Sequence, residues 1–407
     1  MMRGATEVRL GDVVELQNGY AFKSARFSDD PDGVPLIKGS NVGHQVVRWK
    51  EGPWWPRKDA AEYERFRVKA GDVVVAMDRP VVGGCLKYAW ISAWEPEGLL
   101  VQRMCRLRAN SSLNQTYLRY LIGSVSFRQY VETITTGANV PHISGGDIKR
   151  FRFLLPPLET QERLAEVLSA YDNLIENNNR RMELLEEALH LLFREWFIYL
   201  RFPGCQRAES VNGVPDGWRR RPAGEVIDFN PNTSVTRDVV RPYVPMASLS
   251  TTSMRLVDID KRVPKGGAKF RNHDTLLARI TPSLENGKTG FVDFLPSDEE
   301  SATGSTEFIV MRGRGVPPTW VYCLARSAGF RQYAIQNLTG SDGRQRVSNN
   351  VLEGLEILVP PEELLAEWEG LASPMFEQVR NLTTENERLR EARDLLLPRL
   401  MDGRIPV

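Results

Sequence analysis

The chain has 407 residues, of which 42% are hydrophobic and 26% charged, with a formal charge of +1. This is ordinary for soluble globular protein with more than one core, and no stretch reads as a membrane span. Cys85, Cys105, Cys205 and Cys323 lie too far apart for zinc-ligand spacing, and residues 1–10 carry Arg3, Glu7 and Arg9 with no apolar run of signal-peptide length, so free thiols and a cytoplasmic location are expected.

Charge alternates along the chain: residues 1–161 carry a net +5, 162–200 a net −4, 201–361 a net +4 and 362–404 a net −4. A polyanion would therefore meet the two basic blocks and not the acidic segments between them. The first block reads as β-rich with some helix. Ala70-Gly71 precedes a strand at 72–76, and 118–131 has the pattern of a short helix. From 162 to 199 apolar residues recur every three or four positions, at Leu164, Leu168, Tyr171, Leu174, Ile175, Met182, Leu185, Leu189, Leu192 and Trp196. That spacing predicts a helix of about 38 residues, roughly 57 Å long. Pro156-Pro157 bars an earlier start, Thr160 offers an N-cap and Pro203-Gly204 marks the stop.

The rest of the chain repeats this statement. Ile143-Ser144 returns as Val347-Ser348, Phe153-Leu154-Leu155-Pro156-Pro157 as Ile357-Leu358-Val359-Pro360-Pro361, and Leu191-Leu192 as Leu395-Leu396, all at an offset of 204. The 72–76 strand has its counterpart at 274–278 and the 118–131 helix at 321–335. A final apolar line runs Leu364, Trp368, Leu371, Met375, Val379, Leu382, Leu389, Leu396 and Leu400, interrupted by Asn386, with Gly370 and Pro374 as places for a kink or a late start. A helix with one apolar stripe must bury it. The two helices are expected to do so against each other as an antiparallel coiled coil built on Leu174, Asn178, Leu185, Leu192, Val379, Asn386, Leu389 and Leu396, with the asparagines fixing register. The expected fold class is α+β: two mixed globular domains, 1–158 and 202–359, separated by spacer helices at 159–201 and 360–407, with internal pseudo-two-fold symmetry.

Catalytic signatures are weak. Gly287-Lys288-Thr289 has Pro282 where a phosphate-binding loop needs glycine, and Asp147-Ile148-Lys149 has nuclease-like D-x-K spacing but faces Val351-Leu352-Glu353 in the repeat. His44, His142, His190 and His273 form no metal or triad motif, and Asn230-Pro231 is better read as a turn than as a methyltransferase signature. Trp54-Trp55, Trp90 and Trp94 are better placed in a core than stacked on bases. DNA readout instead points to two matching polar loops, 135–142 and 338–346, where Asn139, His142, Ser341, Arg344, Gln345 and Arg346 carry groups suited to base edges and phosphates. Arg79, Lys87 and Lys149 in the first block, and Arg279 and Lys288 in the second, complete the candidate DNA-binding set.

Leu155-Pro156-Pro157-Leu158-Glu159-Thr160-Gln161-Glu162, Asp172-Asn173-Leu174-Ile175-Glu176-Asn177-Asn178 and Leu184-Leu185-Glu186-Glu187 together resemble the central region of type I restriction-modification specificity subunits. The stretch from Arg279 to Gly290 is similar to one common in their target-recognition domains, whereas Glu362-Glu363-Leu364-Leu365 departs from the usual wording after the second Pro-Pro. The resemblance implies a non-catalytic subunit that reads a bipartite, asymmetric target in double-stranded DNA, one half-site per domain. It further implies two modification subunits, adenine methyltransferases, and restriction subunits as partners, with S-adenosylmethionine, ATP and Mg on those partners and no cofactor or metal on this chain. A self-contained nuclease or methyltransferase and a coiled-coil protein scaffold are the readings from other classes.

Overall fold

The structure is a computed structural model that describes residues 4–136, 141–207, 210–211, 213–236, 238–341 and 343–405. The chain divides into two compact units, one formed by Met1–Leu174 with Arg388–Val407 and the other by Ile175–Glu387. Each unit is an α+β body containing two four-stranded sheets.

The sequence repeat reappears as repeated topology. In the first unit one sheet has the order Val14–Asn18, Met104–Ala109, Val73–Ala76, Tyr88–Trp90, all antiparallel. In the second unit the same order is built by Ile227–Phe229, Phe308–Gly313, Thr275–Ala278 and Thr289–Phe291. The other sheet of each unit contains one parallel pair, Val34–Ile37 with Gly98–Leu100 and Arg241–Val244 with Ser301–Gly304. The central strands Val73–Ala76 and Thr275–Ala278 are buried at every position, which is why they read as continuous apolar runs and not as alternating ones. A terminal ribbon closes each unit: Thr6–Arg9 with Arg152–Leu155, and Arg219–Pro222 with Glu356–Val359.

Both units also hold a buried aspartate in a bidentate ion pair at repeat-related positions. Arg108 donates to Asp72 at 2.6 and 2.8 Å, and Arg312 donates to Asp274 at 2.7 Å through both nitrogens.

The helices predicted at 118–131 and 321–335 are each two. Gln115–Ile122 and Val125–Ile134 are divided at Gly123-Ser124, and Pro318–Arg326 and Ala328–Gln336 at Ser327. Ser124 and Ser327 each accept an N–H three residues on, so a serine N-cap restarts the helix where a single periodic pattern had been read.

The first long helix spans Leu158–Phe193 and passes into a π turn, Arg194–Ile198. It starts before Thr160 because the Pro157 carbonyl already accepts the Gln161 N–H at 3.1 Å; a proline without an N–H can still supply that acceptor. The second runs unbroken from Glu362 to Met401, with no late start. The carbonyl that Pro374 crowds belongs to Gly370, the residue four before it.

The two helices pair antiparallel in each unit. In the first, Arg393 donates to Asp172 at 2.5 Å and Leu400 shares a core with Leu164 and Leu168. In the second, Asn178 donates to Asn386 at 3.1 Å, Asn386 donates to Asn179 and to the Ile175 carbonyl, and Thr383 lies 3.4 Å from the Met182 sulfur. Asn178, Asn386 and Val379 are buried, Leu185, Leu192 and Leu396 pack at the core edges, and Leu389 is half-buried. Leu174 corrects the expectation: it is 51% exposed, because its neighbour Ile175 takes the inward position and adjacent helical residues point about 100° apart. Leu371 is exposed as well.

The first helix also grips the globular part of the second unit. Glu186 accepts the Ser253 hydroxyl and the Met254 N–H, both at 2.7 Å. His190 stacks 6.3 Å from Tyr322 with its Nε2 buried and unpartnered among the described residues. Burial first, then Arg326, pushes the His190 imidazole down to about 4. A base with a depressed folded pKa stabilises fully above its unfolded pKa and loses that contribution as pH falls towards the folded one. His190→Gln is therefore expected to remove about 2 kcal/mol of the stability difference between pH 7 and pH 5. Parallel urea titrations of parent and variant check this, and equal pH slopes would contradict it. Burial also raises the Asp293 carboxyl to about 6, which acts in the opposite sense in both proteins and cancels in the comparison.

Among the described residues, no helix is long and apolar enough to cross a membrane.

Candidate nucleic-acid interface

Each central strand leads into a short segment on which the candidate loop closes. In the first unit the Met77 carbonyl accepts the Ile143 N–H, the Arg79 N–H donates to the Pro141 carbonyl, and His142 bridges to both Asp78 and Thr136. In the second the Arg279 carbonyl accepts the Val347 N–H, the Thr281 N–H donates to the Gln345 carbonyl, and Arg346 bridges to both Ile280 and Thr339. The same backbone frame thus presents two loops of different composition. That is the arrangement expected of one scaffold with two specificities.

The frame gathers most of the predicted residues. Arg79 and His142 are exposed side by side, and Lys87 follows closely, its N–H donating to the Pro80 carbonyl. Lys87 is half-buried with its ammonium on the Gly39 carbonyl. Its pKa is lowered by burial first, then by Arg48 and Arg79, against an opposing effect of Asp78. In the second unit Ser341 and Arg344 are exposed, and Gln345 places its backbone on Thr281. The Arg346 guanidinium is spent on Glu307 at 2.7 and 2.9 Å, and that pairing holds the Glu307 carboxyl below its usual range. Arg279 lines a groove of about 400 Å³ with Asn232, Lys269 and Thr306, its Nε buried and unpartnered among the described residues. Arg279 thus lies beside Glu307 and adds to the lowering of its carboxyl, while Arg346 is committed to framing the loop.

Lys288 takes the place of Lys87: its carbonyl accepts the Ala278 N–H as that of Lys87 accepts the Ala76 N–H, and its ammonium donates to a backbone carbonyl, that of Met246, at 3.1 Å. One predicted residue stands apart. Lys149 lies exposed in the last turn of the helix Gly145–Lys149, away from the loop frame. Asn139 lies outside the described residues. Asp147 serves as the third residue of a capping box with Ser144 and pairs with Arg150, which accounts for the D-x-K spacing. Trp55 is buried, Trp90 lies under Arg119 at 5.0 Å, and Trp94 is exposed. No group of His, Cys, Asp and Glu among the described residues is arranged to hold a metal ion.

The sequence reading missed a protruding hairpin, Val81–Val82 with Cys85–Leu86, and the arginines Arg48, Arg103 and Arg128 around it. Gly83-Gly84 between two apolar pairs was the available signal, since a two-residue glycine loop is a hairpin mark.

The family profile for the type I restriction modification DNA specificity domain matches residues 2–187. A type I restriction enzyme MjaIX specificity subunit from Methanocaldococcus jannaschii is 23% identical across 100% of this chain and 98% of its own length. The MjaVIII specificity subunit from the same organism is 31% identical over 50% of this chain, and the EcoAI specificity subunit from Escherichia coli is 32% identical over 45%. These two matches cover 47% and 31% of the relatives' lengths, so the chain spans half or less of each. A solved type I restriction-modification S subunit from M. genitalium shares the fold at a TM-score of 0.57 and 14% identity, covering 98% of this chain and 96% of that one.

Proposed function

We propose that this chain is a type I restriction-modification specificity subunit, a non-catalytic DNA-recognition member of such a system, as its likeness to those proteins supports, and that it reads a bipartite, asymmetric DNA target, one half-site per unit. The observation that carries the reading is the duplicated loop frame, which repeats backbone bonds while changing the side chains it presents. The exposed arginines Arg79 and Arg344, with Arg279 lining the groove beside Asn232 and Lys269, supply the phosphate and guanine donors such a reader needs. Domains at 1–158 and 202–359, with the long helices as spacers, are part of the same proposal, as is action in the cytoplasm, where the DNA is.

The second part of the proposal is that two modification subunits dock on the chain, with restriction subunits joining them. Exposed apolar side chains recur at the repeat offset: Val167 and Leu395 in the first unit match Leu371 and Leu191 in the second. Equivalent apolar patches fit two copies of one partner. The Leu191→Glu, Leu395→Glu double variant is expected to lower modification-subunit capture by at least about tenfold while the exposed sites leave folding within about 0.5 kcal/mol. Co-purification and thermal unfolding measured on the same preparations check it.

Sequencing of methylated bases in cells expressing the modification subunit, with and without this chain, tests the whole reading. A split adenine-methylated motif that appears only with the chain supports it. Methylation indifferent to the chain would overturn it.

A further inference from the structure

In the first unit a two-stranded ribbon stands beside the loop frame. Val81 pairs with Leu86 and Val82 with Cys85, joined by Gly83 and Gly84 at φ 58° and 77°. Two positive φ values in a two-residue loop make the tight turn that matches strand twist, and glycine adopts both without strain. The ribbon has two faces. Leu86 is buried and Val81 packs on the same core, whereas Val82 is 55% exposed and Cys85 is exposed beside it. A Cβ built at either glycine would meet nothing within 4 Å, so the tip stands in open space. Arg128 braces it by donating to the Gly84 carbonyl at 2.6 Å.

The surroundings are cationic. Arg79 leads into the ribbon and Lys87 leaves it, while Arg48 and Arg79 lie close enough to depress the Lys87 ammonium. Arg103 pairs with Asp78, a carboxylate that also acts on Lys87. Among the described residues the second unit has no such ribbon at the corresponding place: its chain folds inward there and Leu284 is fully buried.

We infer that this ribbon enters the major groove of double-stranded DNA and that Val82 reads a thymine methyl group in the half-site of the first unit. The inference rests on the DNA-reading proposal and names a residue and a base feature within it. A two-stranded ribbon fits the major groove, and an apolar side chain there distinguishes thymine through its methyl. Arg79, exposed at the foot of the ribbon, supplies a phosphate contact that holds it in register, and Arg48, loosely paired with Glu51 at 3.9 Å, adds to the positive field. That ring of positive charge is why DNA, and not an apolar protein surface, is the occupant.

The test uses the chain assembled with its modification subunits and duplexes carrying its methylation motif. Deoxyuridine replaces each thymine of the first half-site in turn, which removes only a methyl. At one or two positions the parent is expected to bind about fivefold more weakly, while Val82→Ala, already weakened on the thymine duplex, shows no further loss. In a Cys205→Ser background, alkylation of Cys85 by a maleimide is expected to slow on that duplex, Cys105 and Cys323 being buried. The inference is overturned if no deoxyuridine discriminates parent from Val82→Ala, or if Cys85 reacts equally fast on and off DNA. Protection of Cys85 by modification subunits without DNA also overturns it and makes the ribbon a protein contact. Loss of all motif-specific binding would instead mark failure of the DNA-reading proposal itself.

Discussion

Asp274→Ala is expected to cost the second unit about 3–5 kcal/mol, enough to unfold it near physiological temperature. Asp274 is fully buried, holds both nitrogens of the Arg312 fork at 2.7 Å and accepts the Arg271 N–H at 2.8 Å. Removal of the carboxylate strands a guanidinium in a site where, among the described residues, only Thr233, at 3.1 Å, still accepts from it. Replacing both partners with apolar side chains of similar volume, Asp274→Leu with Arg312→Met, is expected to recover most of the loss, because the penalty comes from the orphaned charge. Urea unfolding measures the cost, and hydrogen exchange in Thr275–Ala278 and Phe308–Gly313 locates it. A loss below about 1 kcal/mol would mean that the site readily admits water. The first unit pairs Asp72 with Arg108 in the same way, with the Lys69 N–H in the place of Arg271, but the Arg108 side chain is 36% exposed, so Asp72→Ala leaves a guanidinium that water reaches and is expected to cost clearly less than Asp274→Ala.

That pair also marks where sequence reading stops. The repeat, the two long helices and the buried central strands were legible because each is a local periodicity, and Asn386 stood out because it breaks one. Asp72 and Arg108 sit 36 positions apart, and nothing local in either segment joins them; only the sheet does. Leu174 was misplaced for a related reason: periodicity cannot choose between adjacent apolar residues, and packing chose Ile175. In the candidate interface, the sequence named Arg279 and Arg346 alike, but their environments separate them. Glu307 binds one guanidinium, and the other keeps a buried Nε without a hydrogen bond among the described residues. The hairpin at Val82 was readable from Gly83-Gly84, yet its exposure depends on Leu86 being buried beneath it.

Exchange of residues 10–151 for the corresponding segment of a relative with a different target is expected to change one half of the methylated motif and leave the other half intact. The boundaries follow from backbone pairing. Thr6 pairs with Leu155 and Arg9 with Arg152, and the Leu10 N–H donates to the Phe151 carbonyl at 2.8 Å. A cut at 9 and 155 would replace Arg152–Leu155 while keeping most of its partner strand, whereas a cut at 10 and 151 leaves the ribbon whole. Gln161 anchors the first helix to the exchanged segment through the Ser112 carbonyl and the Asn114 N–H, groups that any side chains there still offer. Asp172 is more demanding, since it binds Arg119 at 2.8 Å and the Tyr120 hydroxyl at 2.6 Å as well as Arg393. A graft that lacks an arginine and a tyrosine at those places leaves Asp172 buried with one partner and is expected to lose about 1–3 kcal/mol. A graft that retains both should fold, and methylated-base sequencing then reports the swap. Alteration of both half-sites would show that the two units do not read independently.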